Sequence, residues 1–284
     1  MPGRAPHQFS ISCSSGNGGG LLKLETIAIS DGKAKVWVGG QGVPLVLLHG
    51  GWAGASAHWS QVWEELEKHA HVIAPELPGL AADSGRSLKS FGAYAAWLEQ
   101  ILNALDVQKV WIAGNSFGAT LALRFAAQIT RKCHGVLLID GLAQQRHPAF
   151  LRWLVMKTPL RRLAIAQMRR VTYSPDVLNL AFVDPRKAPS EIIETLTSPK
   201  QARLEAMLDI MMSGEKLLSP AHIPTQILWG RADRLSVISI EGAQKLSASI
   251  PNSSLKVIAE AGHLPQVERP DVVIAEIVKF INHG

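Results

Sequence analysis

The chain has 284 residues, of which 47% are hydrophobic and 18% charged, and its formal net charge is +6. This composition is ordinary for a globular protein that is long enough to bury one sizeable core with an inserted subdomain. No apolar run approaches the roughly 18–20 residues that a membrane-spanning helix needs, so we expect no membrane span.

The first twenty residues, MPGRAPHQFSISCSSGNGGG, are rich in Gly and Ser and lack the apolar block of a secretory signal peptide. We expect residues 1–20 to form a disordered leader. A transit peptide is the alternative, because Arg4 is present and the first acid is Glu25, although the leader contains few arginines. The two cysteines, Cys13 and Cys133, have no C-x-x-C partner, which favours a reducing, cytoplasmic location over a disulfide framework.

From residue 21 onwards, short apolar strands alternate with amphipathic helices. Two apolar runs flank Asp31-Gly32, which predicts a tight hairpin, and PLVLL at 44–48 has the continuous apolar character of a buried strand. Further strands are expected at 71–74, 109–113, 135–139, 225–229 and 255–258, and helices at 56–69, 90–105, 117–128, 238–249 and 271–282. The alternation predicts an α/β fold whose mostly parallel central sheet is covered by helices on both faces.

Residues 142–218 interrupt this alternation with helix-like segments that prolines separate. We therefore predict a core formed by residues 21–141 and 219–284 and a helical insertion at 142–218. The stretch from Leu142 to Pro175 contains no acid and seven basic residues, namely Arg146, Arg152, Lys157, Arg161, Arg162, Arg169 and Arg170. This charge is either the solvated face of amphipathic helices or a means of attracting an anionic or carrier-bound substrate.

The pentapeptide Gly114-Asn115-Ser116-Phe117-Gly118 matches the pattern G-x-S-x-G. It follows a predicted strand directly and opens a predicted helix, which is the setting in which a serine hydroxyl projects from the carboxyl edge of a sheet. The two glycines leave room for the tight turn that this requires. Because a serine hydroxyl is a weak nucleophile until a base takes its proton, Ser116 is a candidate nucleophile that needs a partner histidine.

Two further segments supply a candidate base and acid for Ser116. His263 follows the last predicted strand and so reaches the same sheet edge. A base of this kind needs a carboxylate that fixes its tautomer, and Asp233, just beyond the strand at 225–229, is the preferred candidate. Asp140, at the end of the strand at 135–139, is the rival for this role and could instead cap the start of the insertion.

Acyl transfer also needs N–H donors beside the oxygen that becomes negative. The backbone N–H of Phe117 is one candidate, and the second comes from Gly51 or Trp52, in the loop that follows the strand at 44–48. The alternative is that this loop is a plain turn. We expect the side chains of Trp52, Phe117 and Phe150 to line a substrate pocket.

In combination, these motifs resemble the α/β-hydrolase superfamily, in the branch that carries a helical cap and includes carboxylesterases and meta-cleavage C–C hydrolases. The matching segments are LLHGGW at 47–52, PELPG at 75–79, GNSFG at 114–118, ILWGRAD at 227–233 and AGHLPQVERP at 261–270. Two departures stand out. Glu76 occupies a position where aspartate is common in the family, and residues 49–54 read HGGWAG instead of the HGxGPG usual in C–C hydrolases.

The resemblance implies a serine hydrolase that cleaves a carboxylic ester through an acyl-serine intermediate, with Ser116, Asp233 and His263 as its triad. It implies a small-molecule ester or acyl substrate, no cofactor, no metal and no nucleic-acid partner. A C–C bond hydrolase of the meta-cleavage type with the same triad is the alternative, and a non-catalytic receptor for a small ligand is a third possibility. The sequence specifies neither the natural substrate nor the oligomeric state.

Overall fold

The computed structural model describes residues 22–81, 87–141, 147–216, 222–236 and 238–283. The strands are β1 (Lys23–Ile29), β2 (Gly32–Gly39), β3 (Val43–Leu48), β4 (Ala70–Pro75), β5 (Val110–Asn115), β6 (Cys133–Ile139), β7 (Thr225–Gly230) and β8 (Ser253–Ile258). The α-helices are α1 (Ala55–Leu66), α2 (Phe91–Ala104), α3 (Phe117–Gln128), α4 (Ala149–Lys157), α5 (Leu160–Thr172), α6 (Leu178–Ala181), α7 (Ser190–Thr197), α8 (Gln201–Met211), α9 (Ile240–Ser249), α10 (Pro265–Glu268) and α11 (Pro270–His283). The expected leader at 1–20, with Cys13, lies outside the described residues.

The strands form one eight-stranded sheet in the order β1-β2-β4-β3-β5-β6-β7-β8. β1 and β2 form an antiparallel hairpin, and β2 pairs antiparallel with β4, whereas the remaining neighbours are all parallel. The predicted α/β class with a mostly parallel sheet is confirmed. Because parallel strands end at the same edge, the loops that follow β3, β5, β6, β7 and β8 meet there.

Both faces of the sheet are covered, and large side chains fill the space beneath the helices. On one face Tyr94 and Phe125, from α2 and α3, join a buried cluster with Trp229 of β7. On the other face Trp59 and Leu66 of α1 are completely buried. Each such side chain contributes roughly 1.5–3 kcal/mol by leaving water, so the sheet is fixed from both sides.

The first helix begins where a partly buried carboxylate accepts one of its free N–H groups. The Ala55 N–H donates to the Glu76 carboxylate at 3.1 Å, and the same carboxylate accepts from the indole N–H of Trp37 at 2.8 Å. Glu76 follows β4 and Trp37 lies on β2. The glutamate that departs from the usual aspartate therefore ties the hairpin and β4 to α1, and its charge suits a helix N-terminus.

The described residues between β6 and β7 contain α4 to α8 and no strand. We call residues 147–216 the helical segment. It is joined to the rest of the chain by a third buried cluster, in which Tyr173, Phe182 and Leu208 pack with Trp52 and Leu264. The expected limits of the insertion, 142 and 218, and Arg146 lie outside the described residues. Across the described part of the chain, no helix has both the length and the apolar character that crossing a bilayer requires.

Candidate active site

Ser116 lies on the turn between β5 and α3, with φ +55° and ψ −113°. Residues other than glycine rarely adopt such backbone angles. They cost on the order of 1–3 kcal/mol and persist only where the surrounding packing enforces them. Here the enforcement is close contact: a Cβ at Gly118 would lie 2.2 Å from the carbonyl oxygen of Leu48, and one at Gly114 would lie 2.3 Å from that of Gly118. The glycines of the G-x-S-x-G pattern are therefore required by space as well as by the turn.

His263 and Asp233 are brought into direct contact by the loops after β8 and β7. The Nδ1 atom of His263 lies 3.0 Å from Oδ2 of Asp233, and both side chains are nearly inaccessible to solvent. The other oxygen, Oδ1, accepts the N–H groups of Leu235 at 2.8 Å and Ser236 at 3.0 Å. Burial alone would raise the pKa of Asp233, but His263 and the hydrogen bonds from His263 and Ser236 hold that pKa well below its usual range. Asp233 is therefore anionic at neutral pH and directs Nε2 of His263 away from itself.

Ser236 is a member of this site that sequence reasoning missed. Its hydroxyl donates to Oδ2 of Asp233 and lies 3.1 Å from Nδ1 of His263. It thus joins the acid and the candidate base side by side. Its position three residues after Asp233 is a local signal, since Asp side chains commonly bond to groups two and three residues further along a turn.

Asp140, the rival acid, lies beside Asp233 but makes different contacts. Its carboxyl oxygens accept the N–H of Gly230 at 2.9 and 3.1 Å, and none of the hydrogen bonds among the described residues joins it to His263. Burial raises the pKa of Asp140 well above its usual range, and the negative charge of Asp233 raises it further. Of the two adjacent carboxyl groups, Asp140 therefore holds its proton more strongly than Asp233 does.

One cavity of about 490 Å³ brings together most of the predicted site residues. Ser116, His263, Gly51, Trp52 and Phe117 all line it. Most of the remaining wall is apolar and includes Phe91, Val171, Tyr173, Leu180, Met207, Ile210, Met211, Trp229, Leu235 and Ile238. The helical segment supplies several of these side chains, so it forms part of the cavity wall.

Phe150 is not among the described residues that line this cavity. It is 71% exposed at the start of α4, and its ring stacks on that of Trp153 with a centroid distance of 6.4 Å. No side chain of α4 is buried. The structure therefore does not place Phe150 in the cavity as expected. That expectation rested on its apolar character, but an apolar residue can face solvent as well as a pocket.

A group of buried polar side chains lies behind the cavity, and the sequence did not predict it. The Asn115 amide donates to the carbonyl oxygens of His263 at 2.9 Å and Ile139 at 3.2 Å. The Oδ1 atom of Asn115 faces Nδ1 of His58 at 3.2 Å, and Nε2 of His58 donates to the Trp52 carbonyl at 2.8 Å. Asn115 and His58 thus connect the turn at Ser116 with the loops that carry His263 and Trp52.

His49 and His58 are both buried and uncharged. His49 donates from Nδ1 to the Gly50 carbonyl at 2.7 Å and accepts the Leu77 N–H on Nε2 at 2.9 Å. Burial lowers the pKa of His49 to about 4. Burial, followed by the proximity of His49, lowers the pKa of His58 to about 3. Protonation of either histidine is therefore less favourable in the folded state than in the unfolded chain, so low pH destabilises the fold.

We predict that His58→Asn flattens the dependence of stability on pH below neutrality. In the unfolded chain His58 takes up a proton near pH 6.5, whereas in the fold it does so only near pH 3, so stability falls as the pH drops between these values. Between roughly pH 5 and 6, the free energy of unfolding of wild type should change by about 1 kcal/mol per pH unit more than that of the variant. Urea unfolding across this range measures both slopes, and equal slopes would contradict the assignment.

Comparisons with known proteins agree with this architecture. A family model described as the Alpha/beta hydrolase family matches residues 45–276. The 2-hydroxy-6-oxo-2,4-heptadienoate hydrolase of Pseudomonas putida is 28% identical over 81% of this chain and 86% of its own. Two solved structures share the fold, each with a TM-score of 0.72. A thermophilic esterase from Thermogutta terrifontis is 23% identical and covers 92% of this chain and 98% of its own. The 2-hydroxy-6-oxo-6-phenylhexa-2,4-dienoate hydrolase of a Rhodococcus strain is 20% identical and covers 92% of this chain and 100% of its own. Because the family model spans most of its length, this chain belongs to the Alpha/beta hydrolase family.

Proposed function

We propose that the protein is a serine hydrolase that cleaves a carboxylic ester through an acyl intermediate on Ser116. The observation that carries this proposal is the 3.0 Å contact of His263 with Asp233 beside the cavity that Ser116 also lines. A nucleophile, a base and an orienting carboxylate on three loops of one sheet edge are the parts that acyl transfer needs. The contact of His263 with Asp233 beside this turn favours a catalytic site over a non-catalytic receptor.

In the proposed mechanism, the Ser116 hydroxyl attacks the ester carbonyl while Nε2 of His263 takes its proton. Asp233 holds the other ring nitrogen and stabilises the imidazolium that forms. The C–O bond to the alkoxide then breaks, and the imidazolium gives its proton to that oxygen. The alcohol departs, and the acyl group remains bonded to Ser116. Water repeats the sequence at the acyl carbon, with His263 as base, and releases the carboxylic acid and the free serine.

For the oxyanion, we propose the N–H groups of Phe117 and Gly51. Within the described part of the chain, neither N–H is bonded to a protein acceptor. The carbonyl of Gly50 is held by His49 at 2.7 Å, and in a trans peptide the following N–H points the opposite way. This orientation favours Gly51 over Trp52 as the second donor. The side chain of Met207 lies close to Gly51, and a Cβ built at Gly51 would be 3.4 Å from its Sδ atom. There is therefore little room for a side chain at position 51.

An ester is preferred to the C–C bond alternative because of the charge of the cavity wall. The named C–C hydrolases among the relatives act on dienoates, which carry a carboxylate. Arg234 is the one Lys or Arg among the described lining residues, and its guanidinium donates to the Asn179 carbonyl at an exposed position. A predominantly apolar wall suits a neutral acyl chain. Since Arg234 could bind a carboxylate at the rim, C–C cleavage remains the second candidate.

We further propose that the helical segment is the cap of this site. Its residues Met207, Ile210 and Tyr173 line the same cavity as Ser116 and His263, and its Tyr173 and Leu208 pack with Trp52. A cap of this kind shields the acyl chain of the substrate from bulk solvent and strengthens the electrostatic contacts inside the cavity.

Substitution of the proposed nucleophile should abolish turnover. Ser116→Ala removes only one small hydroxyl and should lower kcat for an ester substrate by at least roughly 10⁴-fold while leaving the circular dichroism spectrum unchanged. A fluorophosphonate probe should label the wild-type protein at Ser116. The matched control is Ser60→Ala, an exposed serine on α1, which should keep both activity and labelling. Labelling that survives in Ser116→Ala would contradict the proposal.

Two matched variants distinguish the roles of Asp233 and Asp140. Asp233→Asn should lower kcat by at least roughly 10²-fold, because the amide no longer fixes the productive tautomer of the base. Asp140→Asn keeps the shape of a side chain that bonds to the Gly230 N–H and not to His263, so we expect a loss of less than about tenfold. The measurement is kcat of both variants on one ester. A larger loss in Asp140→Asn would transfer the role to Asp140.

The bond that is cleaved is tested with p-nitrophenyl esters of increasing chain length beside one meta-cleavage dienoate. We expect kcat/KM for a neutral ester to exceed that for the dienoate, and Arg234→Gln to leave ester turnover within a few-fold. Faster cleavage of the dienoate, lost in Arg234→Gln, would replace the ester by the C–C bond. Binding of both compounds without turnover of either would favour a receptor.

A further inference from the structure

The outermost helices of the helical segment expose large apolar side chains to solvent. Phe150 is 71% exposed, Trp153 58% and Leu163 66%. No residue of α4 is fully buried, although Val155 and Met156 pack partly against the core, and α5 fully buries only Ile165. The rings of Phe150 and Trp153 stack on each other, so they form one continuous apolar patch. Exposed aromatic residues on adjoining positions are a common mark of an interaction surface.

The same two helices carry several basic side chains that have no ion-pair partner among the described residues. Within the described part of the chain, Lys157, Arg162, Arg169 and Arg170 are exposed and none forms an ion pair. Their neighbour Arg161 differs, because it pairs with Asp209 at 2.6 Å. We call Phe150, Trp153, Leu163, Arg162, Arg169 and Arg170 the α4–α5 face. Its cations are available to an external anionic partner.

Both ends of this helix pair reach the cavity. His147, two residues before α4, lines the cavity, as do Val171, Thr172 and Tyr173 at the end of α5. Val171 belongs to the cavity wall and is also 59% exposed, which places it at the mouth. A surface that bound the α4–α5 face would therefore lie beside the entrance to the site.

We propose that the α4–α5 face docks on an anionic lipid bilayer. Amphipathic helices with Lys and Arg among Trp, Phe and Leu lie at bilayer interfaces, where aromatic rings enter the headgroup region and the cations meet anionic lipids. A bilayer offers both partners along the whole face. An acidic protein would need a matching apolar and acidic surface in one fixed geometry. The docking is independent of the reaction at Ser116.

The test is co-sedimentation with vesicles of phosphatidylcholine alone or of phosphatidylcholine and phosphatidylglycerol in equal parts. We expect binding to the anionic vesicles only, and release at high salt, because screening weakens the attraction. Ser116→Ala should bind as wild type does, so failure of the proposed reaction would not affect this result. Wild-type protein that stays in solution with anionic vesicles would overturn the proposal.

Two variants test how the arginines and the aromatic rings of the α4–α5 face contribute to vesicle binding. Changing Arg162, Arg169 and Arg170 together to Glu should weaken binding by at least about 100-fold, since each basic residue near an anionic surface contributes roughly fivefold. Phe150→Ser with Trp153→Ser should weaken binding by about tenfold, because two rings leave the interface. The matched control changes three exposed lysines of the β1–β2 hairpin, Lys23, Lys33 and Lys35, to Glu and should bind within a few-fold of wild type. Equal losses in the control and the arginine variant would overturn the proposal.

Two other occupants of the face would also be detected. Light scattering without vesicles reports whether Phe150→Ser with Trp153→Ser dissociates an oligomer, which would make the face an interface between copies. Binding to soluble polyglutamate in the absence of vesicle binding would indicate an acidic protein. Either result replaces the lipid surface as the partner. Circular dichroism of each variant shows that the exposed substitutions leave the fold intact.

Discussion

The turn at Ser116 places the strictest constraint on this structure. Its backbone adopts φ +55°, and its N–H donates to the Ile139 carbonyl on the neighbouring strand at 2.8 Å. Gly118 lies against the backbone of Leu48, so α3 approaches β3 as closely as atoms permit. The strain of such a turn, about 1–3 kcal/mol, is offset by the packing of β3, β5 and α3, whose residues are almost all buried. The position of the proposed nucleophile is thus a property of the whole sheet.

Features that depend on neighbours along the chain could be predicted from the sequence. The strand, the G-x-S-x-G turn and the helix at 110–128 follow from apolar runs and glycines within twenty residues, and the structure has β5 and α3 there. The contact of His263 with Asp233 could be anticipated because the ends of parallel strands converge at one edge. Strand limits differed by one or two residues, as for β4, which was expected at 71–74 and spans Ala70–Pro75.

Features that depend on contacts between distant segments could not be predicted. The amide of Asn115 bonds to the carbonyl of His263, 148 residues further along the chain, and no local pattern signals this contact. His58 lies within an ordinary amphipathic helix, and only the fold shows that it is buried against the loop at Trp52. For Phe150 the difference runs the other way: its apolar character suggested a place in a pocket, whereas the structure exposes it to solvent. Burial is set by the tertiary arrangement, and hydrophobicity alone indicates only a tendency.

Asp140 and Asp233 follow neighbouring strands, and the negative charge of Asp233 adds to burial in raising the pKa of Asp140. This arrangement bears on the evolutionary history of the fold. If a substitution removed Asp233, its charge would no longer raise the pKa of Asp140, and the remaining carboxyl group would release its proton more readily. The role of the acid can then pass from one strand to its neighbour through intermediates that retain a carboxyl group in the same place. A second carboxyl group of this kind is a reserve from which a lineage can relocate the proposed acid.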